Sequence, residues 1–341
     1  EGNDIMPQKH ILMIETGGTF GTDLNEKGLR SLGNGSVFEY PVIKEKIAAE
    51  NFTFDVQRPF RLLSENMTIS RLESLLGVLQ GIDFSAYDGV IVTHGTDTLA
   101  YSVNLAAFAL GSIAIPLVFV SANRPLADPL SNGLDNFIGA LDMILSGEKG
   151  VFAVYRNGDG RIYVHCGGRL HQMDSLHPGF YSQNEVFFGE LIEHHFVYHE
   201  HSQNQRCPMG VSAFSGKKLS SGIVQIHPYP GFDYRRIDMN GVDAVIHFTY
   251  HTGMYCADGY GENLDTLLTS LPQSVPVMMV GGTREEDRYE SALRNGDRLC
   301  FLDDTAGEAV YAKALLAFGN MEREDALDYM QKNILGERLL I

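Results

Sequence analysis

The chain has 341 residues, of which 44% are apolar and 20% charged, the composition of an ordinary globular protein with room for two domains. A formal charge of -17 repels phosphate backbones and anionic lipid, and no basic cluster offsets it, so nucleic acid and membrane surfaces are excluded as partners and a small molecule is expected instead. Cys166, Cys207, Cys256 and Cys300 are widely separated and form no CxxC pair, which suggests neither a zinc ribbon nor a disulfide framework and fits a reducing compartment.

The opening EGNDIMPQKH has no basic, apolar, small-residue leader pattern, so a cytoplasmic location is expected. Residues 11–14 are a short apolar run that reads as a buried strand, and Gly17, Gly18 and Gly21 let the following loop turn sharply around Thr19. GTDLNEKGLRSLGNGS is polar and without period, and reads as a mobile lid. Residues 52–63 alternate as a strand, SENMT starts a helix over 69–79, and Val90, Ile91 and Val92 form another buried strand that ends at Gly95. Thr96, Asp97 and Thr98 can cap the next helix, whose stripe is Leu99, Val103, Ala106, Ala107 and Leu110.

The longest apolar run, 105–120, is broken by Gly111, Ser112 and Pro116, too short and interrupted to cross a bilayer. IPLVFVS then gives a strand, 133–145 a helix, and 151–155 with 161–164 a hairpin turning at NGDG. Periodicity is lost over 193–215, which reads as a linker. His195 and His199 there would suit a metal only on a helix, and Phe196, Val197 and Tyr198 favour a strand, so no metal is expected. From Gly222 the pattern restarts in GIVQIHPYPGF, DAVIHFTYHTG and VPVMMVGGT, with helices over 264–271 and 307–318. The expected fold class is therefore α/β. A larger N-terminal domain (1–195) with a doubly wound, mostly parallel sheet is joined by a linker (196–216) to a smaller C-terminal α/β domain (217–341).

Two loops carry the chemistry. GGTFG fits neither the dinucleotide fingerprint nor a P-loop, and each loop alone is more readily a structural joint than a site. TGGTFGT, SENMT and HGTDT in that order nevertheless resemble the L-asparaginase family, of the type I-like bacterial asparaginases and glutaminases. SNGLDN, YPGF, YHTG and NILGE fall where relatives carry similar words, so the resemblance covers nearly the whole chain.

That resemblance implies hydrolysis of the side-chain amide of asparagine or a related derivative, with release of ammonia and no cofactor. It makes Thr19 the nucleophile and Thr96 the second catalytic hydroxyl, has Asp97 hold the α-ammonium and Ser64 the α-carboxylate, and puts Glu65 where a neutral residue is usual. Gly18 and Gly95 border the substrate, and backbone N–H groups around Gly18 and Thr96 are the natural oxyanion donors. It also implies a homodimer or homotetramer. Two family features are missing. Leu29 stands where many relatives carry a tyrosine, and His171, in GGRLHQMD, is read at the position of a lysine that activates the second threonine. With an ordinary pKa near 6.5, His171 is a candidate base. The competing readings are an amidase or acyl-transfer enzyme on another amide, a component of a tRNA-dependent amidotransferase, which the acidic balance disfavours, and a non-catalytic amino-acid-binding homologue.

Overall fold

The computed structural model describes residues 7–18, 20, 22–24, 30–33, 35–200, 210–281 and 298–338. In chain order the first half contains β1 (Lys9–Glu15), β2 (Thr22–Leu24), β3 (Arg30–Leu32), α1 (Pro41–Ala49), β4 (Phe52–Gln57), α2 (Ile69–Gln80), β5 (Gly89–Thr93), α3 (Leu99–Leu110), β6 (Pro116–Val120) and α4 (Gly133–Ser146). It continues through β7 (Gly150–Arg156), β8 (Ile162–Cys166), β9 (Leu170–His171), β10 (Tyr181–Ser182), β11 (Gly189–Ile192) and β12 (His195–Tyr198). The second half contains β13 (Ile223–Ile226), β14 (Ala244–Phe248), α5 (Leu264–Ser270), β15 (Val277–Val280), β16 (Leu299–Leu302), α6 (Gly307–Asn320) and α7 (Arg323–Gln331).

Eight strands form the large sheet in the order β12-β11-β8-β7-β6-β5-β1-β4. Strands β4, β1, β5, β6 and β7 run parallel, and β8, β11 and β12 continue antiparallel. Both faces of β1, β5, β6 and β7 are buried, which is why these strands carry apolar runs, whereas the edge strand β4 alternates with polar residues and is partly exposed. Leu12, Ile14, Val90, Val92, Leu117 and Phe119 face α2 and α3 on one side. Ile11, Met13, Ile91, Val118 and Val120 face α1 and α4 on the other. The four parallel strands of the second sheet lie in sequence order, β13-β14-β15-β16. The two halves share a core: Ala306, Ala309, Ala312, Leu315 and Leu316 of α6 and the residue before it pack in one cluster with Val103, Ala106, Ala107 and Leu110 of α3. No helix among the described residues is long and apolar enough to cross a membrane.

The hairpin at NGDG is present as β7 and β8. Residues 196–198, at the start of the stretch read as a linker, form a strand as Phe196, Val197 and Tyr198 favour, paired with β11, and Phe196 and Tyr198 pack on Phe188 at the edge of the large sheet. In the polar stretch read as a lid, β2 and β3 pair antiparallel, and residues 25–29 lie outside the described residues.

The sheet order places a ligand. From β1 the chain crosses to β4 on one side, whereas from β5 it crosses to β6 on the other. The chain therefore leaves the carboxyl ends of β1 and β5 toward opposite sides, the switch point at which open α/β sheets have their ligand crevice.

Candidate active site

Three loops meet at that crevice. Glu15 and Thr93 are register partners at the ends of β1 and β5. The Thr16 hydroxyl donates to Thr93 O at 2.8 Å, which ties the loops at their roots. The third, 62–66, is stitched to the first by Leu62 N to Thr16 O at 3.1 Å and Gly18 N to Leu62 O at 2.9 Å. Gly17 and Gly18 have φ of +108° and +68°, the region that L side chains avoid. A Cβ on Gly18 would lie 2.5 Å from Gly95 Cα, and one on Gly95 2.6 Å from Ser64 Cβ. The glycines of both motifs therefore serve close approach of the three loops. The Gly18 N–H is engaged by Leu62 O, so of the N–H groups around Gly18 this one serves the junction of the loops.

Ser64 and Asp97 form the centre of this arrangement. The Asp97 N–H donates to Ser64 Oγ at 3.1 Å, and Ser64 Oγ donates to Asp97 Oδ2 at 3.3 Å. Thr98 Oγ1 donates to Ser64 O at 3.0 Å. Ser64 is buried, Thr96 half-buried, and Asp97 and Glu65 exposed, so the buried hydroxyl meets an exposed carboxylate in Asp97. Neither Asp97 nor Thr98 caps α3 with its side chain. Thr19, the expected nucleophile, lies outside the described residues, next to Gly18.

His94 sits behind the loop rather than in the crevice. Its Nδ1 is 2.8 Å from Gly95 O, and Nε2 is 2.9 Å from Ser102 Oγ, an arrangement that suits a neutral ring donating at Nδ1 and accepting at Nε2. Complete burial pushes its pKa down to about 4 and outweighs the help of Gly95 O and Asp97, so the ring is neutral at physiological pH.

His171 and Thr96 are not joined by a hydrogen bond. Successive side chains leave an extended chain on opposite faces, and the one that reaches Thr96 is Gln172. Its Nε2 donates to Thr96 O at 2.6 Å, and its Oε1 accepts from Ala100 N at 3.1 Å in the first turn of α3. His171 turns the other way. Its ring stacks on Tyr181 at 4.6 Å, with Nε2 2.7 Å from Gln183 Oε1 and Nδ1 3.3 Å from Glu308 Oε2. This places His171 at the wall of a separate cavity of about 330 Å3 between the two halves, with Tyr101, Gln225, His227 and Glu308. Burial opposes its charge, but Glu308, by hydrogen bond and charge, and Gln183 outweigh it and raise its pKa. Sequence reasoning missed Gln172 and Glu308, since nothing local marks a contact between residues 72 positions apart.

SNGLDN and NILGE are buttresses. Asn123 and Asn132 exchange amide hydrogen bonds, and Asn136 bonds Ser121 O and Arg156 N, holding the turn after β6. Glu337 of NILGE pairs with buried Lys313 at 2.6 Å, and Arg169 donates to Gly336 O at 2.7 Å, bracing the segment that carries Gln172.

The model of the N-terminal part of asparaginases matches residues 10–204, more than half of the chain. The chain belongs to the asparaginase family. Among the relatives of this family member is the L-asparaginase of Thermococcus kodakarensis, 25% identical over 343 residues, which cover 96% of this chain and 98% of that one. Another is a glutamyl-tRNA(Gln) amidotransferase subunit of Methanococcus maripaludis, 24% identical over 350 residues, 96% of this chain and 80% of the relative. The thermostable L-asparaginase structure from Thermococcus kodakarensis superposes with a TM-score of 0.76 at 21% identity, over 97% of this chain and 99% of that one. L-asparaginase I from Vibrio cholerae gives 0.76 at 22% identity, over 98% and 100%. These structures share the fold, a large mainly parallel sheet and a smaller parallel one.

Proposed function

We propose that this asparaginase-family member hydrolyses the side-chain amide of asparagine or a related amino-acid derivative and releases ammonia. The observation that supports the reading best is the Ser64–Asp97 pair, hydrogen-bonded in both directions at the sheet's switch point, beside the glycine loop that carries Thr19. Asp97 has an exposed carboxylate without a capping bond, which suits it to an α-ammonium, and Ser64 lies where it can meet the α-carboxylate. In this reading the Thr19 hydroxyl attacks the amide carbon as its proton passes toward the leaving nitrogen. The C–N bond then breaks to give ammonia and an acyl-enzyme, and water returns the carboxylate and the free threonine. Thr96 is the second hydroxyl of the relay. His171 is left out of it because its ring nitrogens are directed to Gln183 and Glu308.

A second reading, an amino-acid-binding homologue without turnover, is favoured by Gln172. A carboxamide next to Thr96 holds the loop but takes up no proton at neutral pH. Ammonia release from L-asparagine separates the two: the wild type should turn over while Thr19→Ala and Thr96→Ala fold but do not. Aspartate binding by calorimetry with no ammonia released from asparagine, glutamine or their simple derivatives would establish the second reading instead.

A further inference from the structure

We propose that Glu308 is a positioning residue of the site: from the C-terminal half it fixes the backbone of Gln172, so that the Gln172 carboxamide ties the Thr96 loop to the first turn of α3. The proposal rests on the reading that Thr96 belongs to the site.

Gln172 lies between the beginnings of two helices. Its side chain meets α3, where Oε1 accepts from Ala100 N while Nε2 donates to Thr96 O. The first amides of a helix have no partner inside it, and here neither Thr98 nor Asp97 supplies one, so the cap on Ala100 comes from Gln172. Its backbone meets α6, where Gln172 N donates to Glu308 Oε1 at 2.9 Å. The other oxygen of that carboxylate receives His171 Nδ1.

The chain before Gln172 is held independently. Asn104 Oδ1 accepts from Gly168 N at 2.8 Å, Asn104 Nδ2 donates to Leu170 O at 2.9 Å, and Arg169 is bonded to Gly336 O. After Met173 the chain emerges into the exposed residues Asp174, Ser175, Leu176, His177 and Pro178. Glu308 is therefore the carboxylate that grips the segment where it leaves the body of the protein. The plainer role for an acid in the first turn of α6 is to offset the helix dipole. That role predicts lost stability with no specific effect on the Thr96 loop.

The test uses the full-length chain and the variants Gln172→Ala, Glu308→Ala, Glu308→Gln and Gln172→Ala with Glu308→Ala. In amide hydrogen exchange, the peptide spanning 96–104 should exchange about tenfold faster in Gln172→Ala and in Glu308→Ala, while peptides of β5 and β6 do not change. On asparagine, Glu308→Ala should lower kcat/KM about tenfold, but less than about twofold when Gln172 is already alanine, the non-additivity expected of residues acting in series. Glu308→Gln, which keeps an acceptor oxygen for Gln172 N, should recover most of both signals. Equal losses in the two backgrounds, or unchanged exchange at 96–104, would overturn the proposal. If the wild type releases no ammonia, the hydrolytic reading fails and the exchange measurement alone decides this one.

Discussion

Gly18 and Gly95 meet backbone to backbone, so the two family motifs are in direct contact and neither has room for a side chain. The costs of adding one differ. On Gly18, at φ +68°, a Cβ faces the backbone of His94 and Gly95, which cannot rotate away. On Gly95 it faces Ser64 Oγ, which can rotate away, and Ser64 Cβ, which moves only with the loop that carries it.

Gly18→Ala should therefore lower Tm by several degrees, since the left-handed conformation alone costs an L residue about 1–2 kcal/mol. Gly95→Ala, free of the positive-φ penalty, should lower Tm less than Gly18→Ala and lose affinity for an amino acid, because displacing Ser64 breaks its bond to Asp97 N. Thermal melts with calorimetric titration of aspartate check both. The reverse ranking would show that the contact has been misassigned.

Asp97→Asn should weaken aspartate or asparagine binding by about 10-fold to 100-fold, the worth of a hydrogen bond between charged groups. Tm should scarcely move, because the carboxylate is exposed and caps no helix amide. A collapse in stability with unchanged binding per folded molecule would reduce Asp97 to a structural residue.

The parts legible in the sequence were those with regular burial. Leu12 with Ile14 and Ile11 with Met13 divide between two buried faces, so their run reads as a strand without tertiary information. Helix α1 was not legible: only Ile43 is buried along it, and one apolar contact makes no stripe. The loops could be found, since glycine and hydroxyl residues at strand ends are local signals. The identity of the group beside Thr96 could not. An offset of one residue reverses the face of an extended segment, and whether His171 or Gln172 reaches Thr96 is decided by Asn104, Arg169 and Glu308, all distant in the chain.

Gln172→Lys should then be informative. The resemblance implies a lysine acting on the second threonine, and Gln172 is the side chain that touches Thr96 here. If the amide limits proton transfer, the lysine variant should raise kcat/KM on asparagine by about tenfold or more, toward the lower end of the worth of a positioned base. Its pH profile should gain a limb that the wild type lacks. Loss of activity would mean that the cap on Ala100 matters more than a base.

His171 should make stability depend on pH. Its folded pKa lies above the ordinary 6.5, so the stability it adds is fully present below pH 6.5 and is lost as pH rises through the folded value. Urea midpoints for wild type and His171→Gln should differ most near pH 5.5 to 6 and converge above the folded pKa. Parallel curves across the range would show that the Glu308–His171 contact carries no net charge interaction.

The alanine seam between α3 and α6 makes the two sheets one unfolding unit. Ala306, Ala309 and Ala312 interlock with Ala106 and Ala107 in a continuous core, so separating the halves exposes a broad apolar face on each. Calorimetry should show a single endotherm in place of two. A fragment ending near residue 200 should aggregate, and substrate access to the crevice cannot rely on the halves swinging apart.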